Sequence, residues 1–319
     1  MFAREDGRMA VDVTVVGGGI SGLACARAAK AGGLSVRVLD RGRRVGGRLA
    51  SRTLWDRPVD LGASYFVVAE STPFAQVVAG WQERGLARAW TDTFSVVDAE
   101  GAQTRKSGPV RWAAPRGLRS LAEDLAEGLD VRVETTIEKV EPYRVDGEDA
   151  GEVVLAMPGP QAARLSENAP GAGGDWEPVI AVALRWDARQ WPEDLHGAFV
   201  DGHPDIAFIA DDGDRRGDGA PVLVVHTTPD LARRHLADPA GAVRAVVAAT
   251  RTALGIDVDP AESFAHRWTF ARPAQTEGAP FHRGPGISAC GDAWGDRSAV
   301  RTAWESGHAL GLALASDRS

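Results

Sequence analysis

Three glycines and one acid carry the clearest chemistry in this chain. Gly17, Gly19 and Gly22 stand in G-x-G-x-x-G register within VDVTVVGGGISGLACARAAKAGG, between a β-branched apolar run and a helical pattern. That placement predicts a phosphate-binding turn. Gly17 permits the tight bend, Gly19 lets the backbone approach a pyrophosphate, and Gly22 lets helix and strand pack closely. The helix start, with the amides of Ile20 and Ser21 in its first turn, brings about half a positive charge and unpaired donors, so no basic side chain is needed there. Asp40 closes the next apolar run, SVRVLD, where a carboxylate can take the ribose hydroxyls of an adenine nucleotide. An acid at this place disfavours a 2′-phosphate.

The stretch RVLDRGRRVGGRLAS then concentrates arginines in a chain of net charge −8. Arg41, followed by Gly46, Gly47 and Arg48, resembles the second glycine motif, R-x-x-x-x-G-G-R, of the flavin-containing amine oxidase superfamily. The resemblance implies that Gly46 and Gly47 let the backbone pass close to a cofactor and that Arg48 binds a diphosphate oxygen or the flavin edge. Arg43 and Arg44 are expected in a solvated loop.

Three further stretches extend the likeness. VDLGASYF, with Ala63 and Ser64, resembles the D-x-G-A-x-x-F segment beside the flavin ring. ACGDAW, with Gly291 and Asp292, resembles the distal G-D motif whose acid contacts the ribityl chain of FAD. AVRTAWESGHALG looks like the closing helix whose amides face the flavin pyrimidine edge, with Val300 nearest to O2, although the family usually has V-E-G-A where this chain has Val300-Arg301-Thr302-Ala303. The backbone of Ile137 is implied at the adenine. Within the superfamily the chain is most similar to the compact bacterial renalases, through DLGASYF, RWAAPRGLRSLAEDL, VVLAMPGPQAARL, HRWTFARP and GDAWGDRSAVRTAWESG.

This resemblance implies a non-covalent FAD, because WGDRSAV lacks the cysteine through which monoamine oxidases commonly hold their flavin. It also implies hydride transfer to flavin N5 from a reduced, isomeric nicotinamide dinucleotide, with oxygen as acceptor giving hydrogen peroxide. A dihydropyridine donor needs no general base, and no catalytic side chain is assigned. Tyr65, Trp268 and Trp304 are candidates for an apolar wall over the flavin. Of the three lysines, Lys30 and Lys139 are expected to be exposed, and none lies in a segment matching the lysine that monoamine oxidases place near N5. Asp60 and Glu305 are expected to be supporting residues, and His226 and His266 structural ones. Two rivals stand beside this reading: a small amine oxidase or desaturase-like flavoenzyme, and a non-catalytic binding protein on the same fold, like the Rab GDP-dissociation inhibitors.

The elements that must position these residues follow from periodicity. The first 40 residues read as strand, turn, helix and strand, a βαβ unit opening a buried parallel sheet. Helices are expected from Pro73 to Arg84, within PRGLRSLAEDLAEG, around 240 to 254, and in the closing segment. Strands are expected in GEVVLAMPGP, PVIAVALRW, IAFIA, VLVVHTT and GISACGDAW, with polar, glycine-rich loops at 170 to 175 and 211 to 220. At 319 residues and 44% hydrophobic content, two domains are expected. The fold class is α/β: a discontinuous Rossmann-type FAD-binding domain (1–70, 113–160 and 284–319) with an inserted α+β substrate domain (71–112 and 161–283). The acidic balance argues against a nucleic-acid or anionic-membrane partner. No apolar run is long enough to span a bilayer and the start has no secretory signal, so a cytoplasmic location is expected. Met9 is as good a start as Met1, and residues 1 to 9 receive no role. No metal site is expected from the spacing of the seven histidines and two cysteines. Cys25 and Cys290 are expected as small buried thiols.

Overall fold

The computed structural model describes residues 11–98, 101–171 and 173–317; the question of Met1 or Met9 as start lies outside them. The chain divides into two compact units. One comprises the chain through Arg48, Leu121–Trp176 and Arg272 onward; the other comprises Leu49–Ser120 and Glu177–Ala271.

The first unit is built on a five-stranded parallel sheet. Strand β1 (Val13–Val16) lies between β2 (Val36–Leu39) and the strand Glu152–Leu155, with Asp130–Arg132 beyond β2 and Ile287–Ala289 beyond Glu152–Leu155. All four residues of β1 are buried, as expected of a central strand covered on both faces. Helix α1 (Ile20–Ala31) crosses between β1 and β2. The closing helix Val300–Ser316 docks on α1 at unusually close range. A side chain at Gly307 would run into the backbone of Ser21, and one at Gly311 into that of Cys25. Only hydrogen at these two positions lets the helix backbones approach so closely. Cys25 and Cys290 are free, buried thiols in this core; their mutual hydrogen bond, with burial, holds the Cys25 thiol well above its ordinary range.

The second unit carries an eight-stranded mixed sheet. In order across it run Glu262–Pro273, Trp176–Arg185, Val222–Thr227, Ile206–Asp211, Gly197–Val200, Arg88–Val97, Gln103–Ala113 and Phe66–Val67. The hairpin Ser51–Leu54/Arg57–Asp60 stands apart from it. Helices Pro73–Glu83, capped by the Thr72 hydroxyl, and Val243–Leu254 match their expected positions closely.

The compact units are drawn differently from the expected domains: residues 49–70 and 113–120 fall in the second unit, and 161–176 and 272–283 in the first. The reason is pairing, since Phe66–Val67 joins the eight-stranded sheet through Gln103–Ala113. The polar loop expected at 211 to 220 contains the helix Asp212–Arg216, capped by the Asp211 carboxylate, with Asp212, Arg215 and Arg216 buried. Its polar side chains pair with one another and with Arg57, Asp60 and the Ser64 carbonyl, which are distant in sequence.

Candidate functional site

In the first unit the glycine turn has three differently constrained positions. Gly17 adopts φ +115°, and a side chain there would lie 2.5 Å from the Ala156 carbonyl oxygen. A Cβ on Gly22 would strike the Gly17 carbonyl oxygen. Both glycines are therefore demanded by the protein's own packing. Gly19 is not: its φ of −76° suits any residue, and a Cβ there would meet nothing within 4 Å. The space in front of it is open, at a helix start that has no side-chain cap. Beside it Ser21 is buried with a hydroxyl that finds no partner among the described residues.

Gly46 and Gly47 form the facing wall. The Gly46 amide donates to the Gly18 carbonyl at 2.8 Å, and Gly46 bridges Gly19 in parallel register. Asp40 ties the two turns together: one carboxylate oxygen accepts from the Gly18 amide and the other from the Gly42 amide, each at 2.6 Å. Arg41 and Arg43 are exposed, and Arg44 pairs with Glu123 at 2.5 Å on the surface. Arg48 makes a bidentate pair with Asp292 at 2.9 and 2.5 Å and lies 5.2 Å over the Trp176 ring. Ser298 also donates to Asp292, at 2.5 Å. The Gly291 amide donates to the Ser306 hydroxyl at 3.0 Å, which fixes the turn to the closing helix. Val300 opens that helix, half-buried, and Arg301 pairs with Glu305 at 3.7 Å. Ile137 is half-buried near β1 and β2, its backbone amide and carbonyl without a hydrogen-bond partner among the described residues. Gly17 to Ser21, Asp40, Gly46 and Gly47 thus converge on one turn, and Arg48 meets Asp292 across 244 residues of sequence.

In the second unit the segment from Asp60 to Tyr65 is held at both ends by buried charge. Asp60 pairs with Arg216 at 2.9 Å and accepts from the Ser51 hydroxyl and, at 3.0 Å, from the Leu118 amide. The Ser64 carbonyl accepts from Arg215 at 2.7 Å. Arg215 and Arg216 both pair with Asp212, which Arg57 also reaches, at 2.6 Å. Burial alone would raise the Asp212 carboxyl, but Arg215, Arg216 and Arg57 hold it far below the ordinary range. Ala63 and Ser64 sit inside this clamp, and the buried Ser64 hydroxyl has no partner among the described residues.

The chain matches two protein families. Residues 15–81 match the NAD(P)-binding Rossmann-like domain, and residues 68–309 match the flavin containing amine oxidoreductases. The second match covers most of the chain. The chain belongs to the flavin containing amine oxidoreductase family. A probable polyamine oxidase 4 from Arabidopsis thaliana is 40% identical over 67 residues, 21% of this chain and 14% of that protein's length. Among solved structures, cyclohexylamine oxidase from Brevibacterium oxydans superposes with a TM-score of 0.76 at 14% identity, covering 97% of this chain and 100% of the other. A putrescine oxidase bound to putrescine gives 0.69 at 16% identity, with 97% and 99% covered. These two structures are similar to this chain in fold.

Of the substrate-face candidates of this amine oxidoreductase family member, Tyr65 and Trp268 lie in the second unit and Trp304 in the first. Tyr65, half-buried, packs with Phe94 and Phe208 at 5.4 and 6.0 Å. Trp268 belongs to a different cluster of the same unit, with Val59, Leu61 and Phe264, and its indole donates to the Leu61 carbonyl at 2.5 Å. Trp304 is a buried residue of the closing helix, stacked on His308 at 4.5 Å. His266 lies 4.6 Å edge-on to Trp268, and burial, with Arg52 and Arg267, lowers its pKa to about 4. Lys30, Lys106 and Lys139 are all exposed. Among the described residues no helix is long and apolar enough to cross a membrane, and no group of His, Cys, Asp or Glu is arranged to hold a metal.

Sequence reading missed the clamp residues Arg57, Asp212, Arg215 and Arg216. The run DDGDRR offered one signal: acids followed three and four residues later by arginines are spaced to pair on one face of a short helix.

Proposed function

We propose that this chain binds FAD non-covalently and uses it to oxidise a reduced, isomeric nicotinamide dinucleotide in the cytoplasm, with oxygen as electron acceptor and hydrogen peroxide as product. The observation that carries the cofactor assignment is the open cradle at Gly19, a glycine that neither its backbone angles nor its neighbours require. Bound FAD would supply a two-electron acceptor for a hydride from the donor carbon. The residues present fit it. The amides at the start of α1 and the paired turns at Gly18–Gly19 and Gly46–Gly47 would hold the diphosphate. Asp40 would meet the ribose and Ile137 the adenine. Asp292 would hold the ribityl chain, oriented by Arg48 and Ser298, and Val300 would border the ring. Cys290, next to Gly291, has its thiol buried in the core with Cys25, which supports a flavin held without a thioether.

For the donor, a dihydropyridine fits a site that has been assigned no proton acceptor. His266 is neutral above about pH 5 by virtue of its low pKa, yet Trp268 and burial occupy its surroundings, and the three lysines face solvent. An amine donor is the second reading, supported by the family match and by the amine oxidases among the fold neighbours. The test is anaerobic mixing of FAD-loaded protein with isomeric dihydronicotinamide dinucleotides and with a panel of primary amines and polyamines. The proposal expects the dinucleotides to bleach the flavin; bleaching by amines alone would replace it with the second reading.

A further inference from the structure

Three arginines are buried among the described residues: Arg111, Arg215 and Arg216. Arg215 and Arg216 are each paired with Asp212. Arg111, 7% exposed, is not paired: no carboxylate among the described residues lies within ion-pairing distance of it. Its only side-chain hydrogen bond among the described residues goes from Nη1 to the Asp92 carbonyl at 2.6 Å. The guanidinium lies 4.0 Å from the centre of the Phe94 ring and 5.8 Å from that of Tyr65.

That aromatic surface is a stripe on the eight-stranded sheet, with His226, Phe208, Phe199 and Phe94 on four consecutive strands and Tyr65 just before Phe66–Val67. Tyr65, Phe94, Phe199, Phe208 and His226 follow one another with ring centres 5.4, 5.6, 5.3 and 6.1 Å apart. Phe94 and Phe208 are buried, whereas Tyr65, Phe199 and His226 are half-buried, so the stripe is open along part of its length. Arg111 enters it where the register of the Arg88–Val97/Gln103–Ala113 pair shifts, between Thr91 opposite Arg111 and Thr93 opposite Ser107. Irregularities of this kind redirect a side chain and recur beside functional sites.

The guanidinium is largely withdrawn from water, yet its other donors are not among the fully buried unpartnered atoms of the described residues and so open onto accessible space beside the Phe94 and Tyr65 rings. The remaining donors suit an oxyanion, and the rings beside them suit a planar heterocycle.

We propose that Arg111 and the Tyr65–Phe94–Phe208 surface form a binding site for a planar ring that carries an oxyanion, a phosphate or a carboxylate, and that Arg111 determines specificity for donors with that charge. The inference deepens the proposed function, on which it rests: a nicotinamide nucleotide has both groups, and an ammonium substrate would be repelled by the unpaired cation.

Equilibrium binding to the FAD-loaded protein tests it, with nicotinamide mononucleotide as the phosphate-bearing probe, nicotinate as the carboxylate-bearing one and nicotinamide as the neutral control. The wild type is expected to bind at least one anionic probe about tenfold more tightly than nicotinamide. Arg111→Gln should abolish that preference, Arg111→Lys should restore part of it, and both should leave nicotinamide and FAD affinity unchanged. The probe that loses affinity identifies the oxyanion. Equal wild-type affinity for all three probes overturns the site without need of a variant, as does an undiminished preference in folded Arg111→Gln. If the preference depends on Arg111 but dihydronicotinamide dinucleotides leave the flavin oxidised, the site stands and the donor assignment falls. If they reduce it equally well in Arg111→Gln with no anion preference, the reverse holds.

Discussion

Replacing Gly19 with valine separates ligand binding from folding at a single atom position. The backbone at Gly19, φ −76° and ψ 174°, is extended and accepts a β-branched residue, and a Cβ there touches nothing within 4 Å. The cost to the unliganded protein is then that of a poorer helix N-cap, about 1 kcal/mol. The cost to FAD binding is larger. The valine methyls would fill the cradle and force the diphosphate away from the first-turn amides, losing charge-assisted hydrogen bonds of about 1.5–3 kcal/mol each. Loss of two such bonds is about 3–6 kcal/mol, a weakening of at least a hundredfold at about 1.4 kcal/mol per factor of ten. Gly22→Ala is the counterpart, because its Cβ would strike the Gly17 carbonyl oxygen; it should lower the stability of the unliganded protein itself. The assays are urea unfolding of apo-protein and FAD titration by fluorescence. Near-parental FAD affinity in Gly19→Val would refute the cradle. So would an apo-protein destabilised as much as Gly22→Ala, since Gly19 would then be a packing glycine.

Asp40 holds the Gly18 and Gly42 amides, so Asp40→Ala should weaken FAD by roughly 1.5–3 kcal/mol and Asp40→Asn by less, since an amide oxygen can replace one acceptor; equal dissociation constants across the series in an FAD titration would move Asp40 away from the nucleotide. Asp212→Asn leaves Arg215 and Arg216 short of their shared buried partner and should cost about 3–5 kcal/mol in denaturant unfolding, with a shift below 1 kcal/mol contradicting the clamp. His266 has a folded pKa of about 4 against an ordinary value near 6.5. The unfolded chain therefore binds the proton more readily, and this group's contribution is intact above about pH 6.5 and lost as pH falls toward 4. His266→Gln should flatten the fall in melting temperature across that window, and should change single-turnover flavin reduction by less than about tenfold, under ~1.4 kcal/mol of barrier; a thousandfold loss would identify a base.

How much of this was legible depended on how local the cause was. The turn at Gly17–Gly22 and the strands around it are written in neighbouring residues: a β-branched run, a steric requirement at two glycines, and a helix that follows at once. Asp40 was readable from its spacing, but the Gly18 and Gly42 amides it accepts from were not. Arg48 and Asp292 were each assigned to the cofactor by resemblance, whereas their bidentate pairing across 244 residues is a property of the sheet order. The helix Asp212–Arg216 was hidden because the partners that complete its buried internal pairs, Asp60, Arg57 and the Ser64 carbonyl, are all far away in sequence. Strand Gln103–Ala113 escaped because eight of its residues are exposed in succession, leaving no alternation to read. Arg111 follows from the same strand: its burial depends on a register shift that only the pairing with Arg88–Val97 creates.

The most direct test of the central claim is the flavin content of the purified protein. Purified or reconstituted with FAD, it should be yellow, hold FAD in about a one-to-one ratio with the chain, and release all of it to the supernatant on acid denaturation. A colourless protein that cannot be reconstituted with FAD would contradict the account, and a flavin that precipitates with the polypeptide would contradict non-covalent binding.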